Sequence, residues 1–399
     1  MKNIVFVMKV MMGGGAERVI SMLSSSAVEK GHNVTLIITH QSLAEAVLRD
    51  IDSRIKVISL VDETVNLKKN TSASKIIRLY SRFTGKLSRI FTGKTSDKSL
   101  VLKYLANNYA GIKWLRSFFK NNRKACVVAF LYDSIFYSFL SVTKNNRLII
   151  SERGDPQQSI KSKTTMAFIK GEFNKADNFV FQSPDVQKWY EQNTPVRGTV
   201  IFNPIKADLP EPYTDERKKK IVNFCRISSQ KNLVLLLDAY ELFYKHYPEY
   251  ELYIYGDPVG NDCDSYLDNV KAHLAKLDCK NNVHILPSLK NIHSEIRDYA
   301  MFVSSSDFEG MSNSMLEAMA LGLPCVCTDC PAGGARAVIK NGENGLLVPV
   351  NDAQQLSDAM IRVVSEQGLG EKLAFNASQI RETQSLEKII ENWMEIING

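Results

Sequence analysis

The chain has 399 residues, 44% of them apolar and 23% charged, which suits two ordinary domains and excludes a disordered, collagenous or disulfide-stapled chain. No run approaches the ~20 apolar residues of a membrane span, and Met1-Lys2-Asn3-Ile4-Val5-Phe6-Val7 reads as a strand rather than a secretory leader. The odd count of seven cysteines fits a reducing compartment, and the net charge of +7 is unevenly spread, so the expected setting is cytoplasmic, soluble or peripheral to a membrane.

From the N-terminus, the apolar run Ile4 to Val7, the turn Gly13-Gly14-Gly15, helical spacing from Ala16 to Lys30 and the run Val34 to Ile38 spell one βαβ unit. A glycine run between strand and helix turns backbone N–H groups and the helix dipole toward an anion, although such turns also serve geometry alone. Gly14 and Gly15 are therefore phosphate candidates, and Glu17 with Arg18 are either local ion-pair partners or site residues. Residues 66–124 hold 15 Lys or Arg against Asp97 alone, a local +14 that leaves −7 for the rest of the chain. Bases alternate there with Ile76, Ile77, Leu79, Tyr80 and Phe83, then Tyr104, Trp114, Leu115, Phe118 and Phe119. This is the pattern of a basic interfacial surface meeting anionic headgroups, or of a solvated helix face over ordinary core contacts. No recognition-helix, zinc-finger or RRM signature accompanies the charge, so no nucleic acid partner is expected.

Further strands at Ala125 to Leu131, Arg147 to Ser151, Asn178 to Gln182 and Thr199 to Phe202 alternate with helical stretches, which predicts a mostly parallel sheet. The first domain is expected to span 1–203, and a Pro- and charge-rich stretch to Lys220 opens a second, 204–399. Its strands are expected at Ile221 to Cys225, Glu251 to Tyr255, Val283 to Leu286, Met301 to Ser304, Cys325 to Thr328 and Leu346 to Val348. A closing helix, Leu386 to Ile397, carries Trp393 on an apolar face with no legible partner. Two βαβ domains in tandem predict an α/β, bi-lobed protein whose ligand lies outside the carboxyl ends of the strands.

The second domain holds the most informative residues. Gly310, Ser312, Asn313 and Ser314 open a helix that follows a strand, offering free amides and capping hydroxyls suited to phosphate. Glu317 lies one turn inside that helix, where it could accept from a pair of ribose hydroxyls, and Glu309 in the preceding loop could reach an adjoining sugar. Arg226 and Lys231 straddle the turn after the domain's first strand and can converge on one diphosphate, Arg as a planar fork and Lys as a point charge.

Taken together, GGGAER after the first strand, CRISSQKN, YGDP at Tyr255 to Pro258, the E-x7-E pair Glu309 and Glu317, and PAGGARAVIKNGENGLLVPVND resemble the retaining, family-4 type glycosyltransferases of GT-B fold. The matches run from about residue 4 to residue 352. The resemblance implies two Rossmann-like domains facing each other across a cleft, a nucleotide-diphosphate-sugar donor on the C-terminal lobe and an acceptor on the N-terminal lobe. It implies Glu309 on the donor sugar, Glu317 on the ribose, Arg226 and Lys231 on the diphosphate, and Gly14 and Gly15 on the phosphate or sugar. Gly256, Met311 and Leu289 join the donor set by position. UDP is the expected base by family frequency, and neither a cofactor nor a metal is implied.

The chain also departs from the family pattern. Cys225-Arg226 stands for the frequent Gly-Arg, and Pro287-Ser288 replaces the glycine often found after its strand, which leaves base contacts near Leu289 open. The N-lobe histidine of many members is missing after Leu148 to Ile150, where Ser151-Glu152-Arg153-Gly154-Asp155-Pro156 stands instead. That wording is similar to bacterial members that build lipid-linked glycans, so Glu152, Arg153 and Asp155 are acceptor or cleft candidates, with a structural ion pair as the alternative for Arg153. Asp262-Cys263-Asp264 reads as a helix start rather than a metal site, Cys325, Cys327 and Cys330 as small buried thiols, and none of the six histidines claims a role. Expected partners are the nucleotide sugar, a polyprenyl-pyrophosphate-linked saccharide and, through 66–124, an anionic membrane surface. A nucleotide-sugar 2-epimerase of the same fold, or a non-catalytic partner of another transferase, is the alternative.

Overall fold

The computed structural model describes residues 1–46, 48, 51–65, 72–92, 97–160, 175–258 and 263–399. The chain divides into two compact units, one of Met1–Gln182, Val186–Ile201 and Asn392–Gly399, the other of Ser183–Asp185 and Phe202–Glu391. Each is an α/β domain on its own parallel sheet, so the expected pair of Rossmann-like domains is present. Among the described residues no helix is long and apolar enough to cross a membrane.

The first unit runs β1 (Asn3–Met8), α1 (Gly15–Glu29), β2 (Asn33–Ile38), β3 (Lys56–Ser59), α2 (Leu60–Thr64), α3 (Ser72–Thr92), α4 (Asp97–Asn121), β4 (Cys126–Phe130), α5 (Tyr132–Ser141), β5 (Arg147–Glu152), α6 (Pro156–Ser159), β6 (Asn178–Phe181), α7 (Pro184–Asn193) and β7 (Thr199–Val200). The strand order is β3-β2-β1-β4-β5-β6-β7, with Ile4 opposite both Val34 and Cys126. Strands flanked on both sides and covered on both faces need continuous apolar runs, which is why Ile4 to Met8 and Cys126 to Phe130 are buried throughout. β3 was not expected, because four residues at a sheet edge carry too little pattern to read. β4 stops one residue early, since Leu131 turns to φ 64° and releases the chain into α5. The expected last strand shrinks to Thr199–Val200.

The basic segment is a helical hairpin of α3 and α4; its residues 66–71 and 93–96, with Lys68, Lys69 and Lys94, lie outside the described residues. Ser81 Oγ donates to the Ser99 carbonyl and Ser99 Oγ to that of Ser81, each at 2.6 Å. The large apolar side chains divide between the two readings. On α4, Leu115 and Phe119 are core, whereas on α3 the buried side is Ser74, Ser81 and Gly85, and Ile76, Leu79, Tyr80 and Phe83 are 59–69% exposed.

The second unit runs β8 (Lys218–Phe224), α8 (Leu233–Tyr244), β9 (Glu251–Tyr255), α9 (Cys263–Leu274), β10 (Val283–Leu286), α10 (Ile292–Ile296), β11 (Tyr299–Ser304), α11 (Asn313–Ala320), β12 (Cys325–Thr328), β13 (Leu346–Val348), α12 (Ala353–Ser365), α13 (Leu369–Ser378), α14 (Ile380–Thr383) and α15 (Leu386–Asn398). Its sheet order is β10-β9-β8-β11-β12-β13. Alternation along each strand feeds two cores: Ile221, Met301 and Val326 pack with Leu236, Tyr240 and Phe243, while Val222, Phe302 and Cys325 pack with Met315, Leu316 and Met319. The end of α15 belongs to the first unit, where Trp393 is fully buried and stacks on Phe130 at 5.6 Å. Lys2 Nζ donates to the carbonyls of Ile397 and Asn398, and Arg147 Nη1 to Ile397, which satisfies the open carbonyls of that last turn.

Candidate functional site

In the second unit the loops leaving β8 and β11 are tied together at the carboxyl ends of neighbouring strands. After β8, Ser229–Lys231 makes a 3-10 turn, and Asn232, at φ 42°, caps α8 by accepting from Leu235 N. Gln230 Nε2 donates to the Phe308 carbonyl at 2.8 Å, Asp307 N to the Gln230 carbonyl at 3.0 Å, and Asn232 Nδ2 to Asp307 Oδ1 at 2.6 Å. This zipper brings Lys231 Nζ into an ion pair with Glu309, both side chains largely buried. Burial works to lower the Lys231 ammonium, and the adjoining Glu309 carboxylate outweighs it, so its pKa is raised and the cation is fixed. Arg226 is exposed beside this pair and has no ion-pair partner among the described residues.

The loop after β11 delivers α11, whose N-cap Ser312 accepts from Met315 N. Asn313 Oδ1 accepts from Asn203 Nδ2 at 2.7 Å, and the same amide donates to the Met311 carbonyl, which pins the turn that carries Gly310 and Ser314. Met311 itself packs in the core, so its side chain serves the fold and only its backbone stands at the helix start. Gly334 from the PAGG stretch lies so close that a Cβ there would sit 1.5 Å from the Gly310 carbonyl oxygen. Glu317 is buried, and its Oε2 lies 2.8 Å from His293 Nε2, with the imidazole edge-on to Phe224. This revises the reading that no histidine takes part: His293 sits on a five-residue helix with no spacing to flag it. Gly256 abuts Cys225, where a Cβ would lie 1.9 Å from the carbonyl oxygen, and Asp257 binds Ser288, leaving Leu289 exposed on the next loop. Cys325, Cys327 and Cys330 are buried thiols, and burial pushes Cys330 up to about 12. Asp262 lies outside the described residues, and Asp264 is in the first turn of α9.

The candidates of the first unit fall into two groups. Gly14 is the N-cap of α1, Gly15 opens it, and Glu17 folds back so that a Cβ on Gly14 would meet its Oε2 at 2.2 Å. Glu152 and Arg153 are buried and occupied within the unit. Glu152 accepts from the amides of Arg153 and Gly154 and from Tyr190 OH at 3.0 Å. Arg153 donates to Ser151 Oγ and the Ile201 carbonyl and lies 5.2 and 5.3 Å over the rings of Phe130 and Trp393. Burial pushes the Glu152 carboxyl up and the Arg153 guanidinium down to about 9. Asp155 caps α6 by accepting from Gln157 N at 2.9 Å.

A fixed ammonium–carboxylate pair, an open guanidinium and a helix N-terminus at one sheet end can hold a diphosphate next to a polyol. Residues 205–380, which contain this arrangement, match the family model "Glycosyl transferases group 1". A poly(glycerol-phosphate) alpha-glucosyltransferase of Bacillus subtilis is 30% identical over 204 residues, 50% of this chain and 29% of that protein. An uncharacterized glycosyltransferase of Methanocaldococcus jannaschii is 22% identical over 365 residues, 78% of this chain and 87% of that protein. The chain thus spans under a third of the first relative's length and most of the second's. In fold, it is similar to Anabaena Alr3699/HepE in complex with UDP and glucose, with TM-score 0.75 at 15% identity over the whole of both chains.

Proposed function

From a chain whose residues 205–380 form a group 1 glycosyltransferase domain, we propose a retaining glycosyltransferase that works without a bound metal. It moves a sugar from a nucleotide-diphosphate sugar, UDP-linked, to a hydroxyl of a polyprenyl-pyrophosphate-linked oligosaccharide in surface polysaccharide synthesis. The second unit holds the donor and the first the acceptor. The observation that carries this reading is the Lys231–Glu309 pair beside the open Arg226 and the N-terminus of α11.

In this reading Arg226, Lys231 and the α11 amides take up the charge that grows on the diphosphate as the bond to the anomeric carbon breaks. The acceptor oxygen bonds to that carbon from the face the diphosphate leaves, and its proton passes to a phosphate oxygen. Glu309, held by Lys231, orients the sugar, and Glu317, held by His293, takes the ribose. Support for UDP comes from the similarly folded Anabaena protein, which is in complex with UDP and glucose, and support for an anionic polymer as acceptor from the similarity to the B. subtilis poly(glycerol-phosphate) alpha-glucosyltransferase. The exposed stripe Ile76, Leu79, Tyr80 and Phe83, edged by the exposed Lys75, Arg82 and Lys86, supports attachment to the inner face of the cell membrane.

Calorimetric titration with UDP, GDP and ADP, with and without EDTA, tests the donor half. UDP binding that ignores EDTA and disappears in Arg226→Ala/Lys231→Ala is the expected outcome; equal binding of all three nucleotides, or none, overturns the assignment.

A further inference from the structure

The Lys231–Glu309 pair joins two separate loops, so the distance between the two backbones that carry it has to be set by other bonds. At that junction stands Ser305, directly after β11 and fully buried. Its Oγ lies 2.9 Å from both the Lys231 and the Asn232 carbonyl oxygens, a single hydroxyl shared between two acceptors. Those carbonyls belong to the turn in which Ser229–Lys231 ends and Asn232 takes φ 42°, a left-handed conformation uncommon outside glycine. The mount of Ser305 is itself rigid. β11 lies between β8 and β12, and the next carbonyl, that of Ser306, accepts from Thr328 Oγ1 at 2.6 Å and from Cys330 Sγ at 3.1 Å. Four residues beyond Ser305, the same extension of the chain carries Glu309.

We propose that Ser305 is a positioning residue for Lys231: its hydroxyl clamps the backbone of the turn after β8 to the end of β11, so that the ammonium stands at one fixed place beside Glu309. The inference rests on the transferase reading for what the pair holds, and adds a residue buried out of reach of any ligand that sets how strongly the diphosphate is held. A lysine is a point charge on a flexible stem, and its attraction to a phosphate counts in full only when the ammonium need not be ordered on binding. Glu309 fixes the far end of that stem and Ser305 the near end. The bonds among Gln230, Asn232, Asp307 and Phe308 join half-buried groups at the rim, whereas Ser305 ties the two loops from inside. Removing the hydroxyl strips both carbonyls of that donor and lets the turn shift, carrying Lys231 with it.

The test introduces Ser305→Ala into the full chain in two backgrounds, Lys231 intact and Lys231→Ala, and titrates UDP and uridine by calorimetry. With Lys231 intact, Ser305→Ala should weaken UDP fivefold or more and uridine less than twofold, since only the diphosphate meets Lys231. In the Lys231→Ala background it should change UDP affinity less than twofold, because there is no ammonium left to position. Labelling with acetic anhydride, read by peptide mass spectrometry, needs no nucleotide: Lys231 should be acetylated at least threefold faster in Ser305→Ala, with the exposed Lys340 as the unchanged reference. Equal weakening of UDP and uridine, the same loss in both backgrounds, unchanged UDP affinity, or unchanged labelling of Lys231 each overturns the assignment. Ser305→Cys keeps nearly the size of the side chain with only a weak donor; it should fall between serine and alanine, and it carries the same comparison if the alanine variant does not fold. Failure of the unaltered protein to bind UDP would strike the transferase reading instead, and the labelling ratio would still decide for or against Ser305.

Discussion

The two sheets end differently. In the second unit the polar groups beyond β8 and β11 are fastened to one another by side-chain and backbone hydrogen bonds, down to the Lys231–Glu309 pair. In the first, Leu131 at φ 64° turns the chain after β4, and Lys9 and Asp133 join the loops after β1 and β4 in an ion pair that stays a third or more exposed. The loops of the second unit are held by largely buried side chains, those of the first by an ion pair open to water. In the proposed reading the fastened end takes the nucleotide diphosphate, whose chemistry is the same whichever sugar it carries, and a preorganised site suits such a ligand.

Breaking the fastened end should do most. Glu309→Ala is expected to lower transfer by a factor of about 10³, as when one preorganised electrostatic contact is removed, with UDP affinity retained; near-normal steady-state turnover would take Glu309 out of the site. Gly334→Ala drives a methyl into the Gly310 backbone and should cost about 2 kcal/mol or more, read as a lower urea midpoint. His293→Ala should weaken UDP roughly tenfold, the order of one hydrogen bond to a charged group, and should leave 2′,3′-dideoxy-UDP unaffected. An equal loss for both nucleotides would mean that His293 supports the fold rather than Glu317's hold on the ribose. On the open side, Leu79→Glu/Phe83→Glu should change stability by less than about 0.5 kcal/mol, as exposed positions do, while ending sedimentation with anionic liposomes.

The smallest effect concerns pH. Burial lowers the His40 pKa, Asp133 opposes this and Lys9 adds to it, so the net shift is downward from 6.5. The unfolded chain then takes the proton first as pH falls, and the stability associated with neutral His40 is complete above 6.5 and lost as pH drops through the lower folded value. His40→Gln should flatten that acid-side slope between pH 7.5 and 5.5 in denaturant titrations; an unchanged slope would mean that other groups set it.

Central strands and the loops after β8 and β11 were legible because they carry dense local signals: unbroken apolar runs such as Ile4 to Val7, glycines before helices, and acids at fixed spacing. What escaped lies in long-range partners. Nothing near His293 in the chain announces Glu317, 24 residues on, and nothing near Trp393 announces Phe130. Gly334 reads as a turn glycine, although its role is to let Gly310 approach. The SERGDP stretch was read for its polar residues alone, and its charged groups turned out to be enclosed by aromatic neighbours from Tyr190 and Trp393. The basic hairpin was ambiguous for a physical reason, since α3 buries Ser74 and Ser81 and exposes Ile76, Leu79, Tyr80 and Phe83, the reverse of what amphipathic patterning leads one to assume.

The burial of Trp393 also has an optical consequence. Of the three tryptophans, Trp393 alone is fully enclosed, stacked on Phe130 beneath the Arg153 guanidinium, while Trp114 and Trp189 are partly open to water. Its emission should therefore be the blue component of the protein's fluorescence. Any event that peels the last turns of α15 away from the first unit would move that component to the red, so the chain carries an intrinsic reporter for the seating of its final helix.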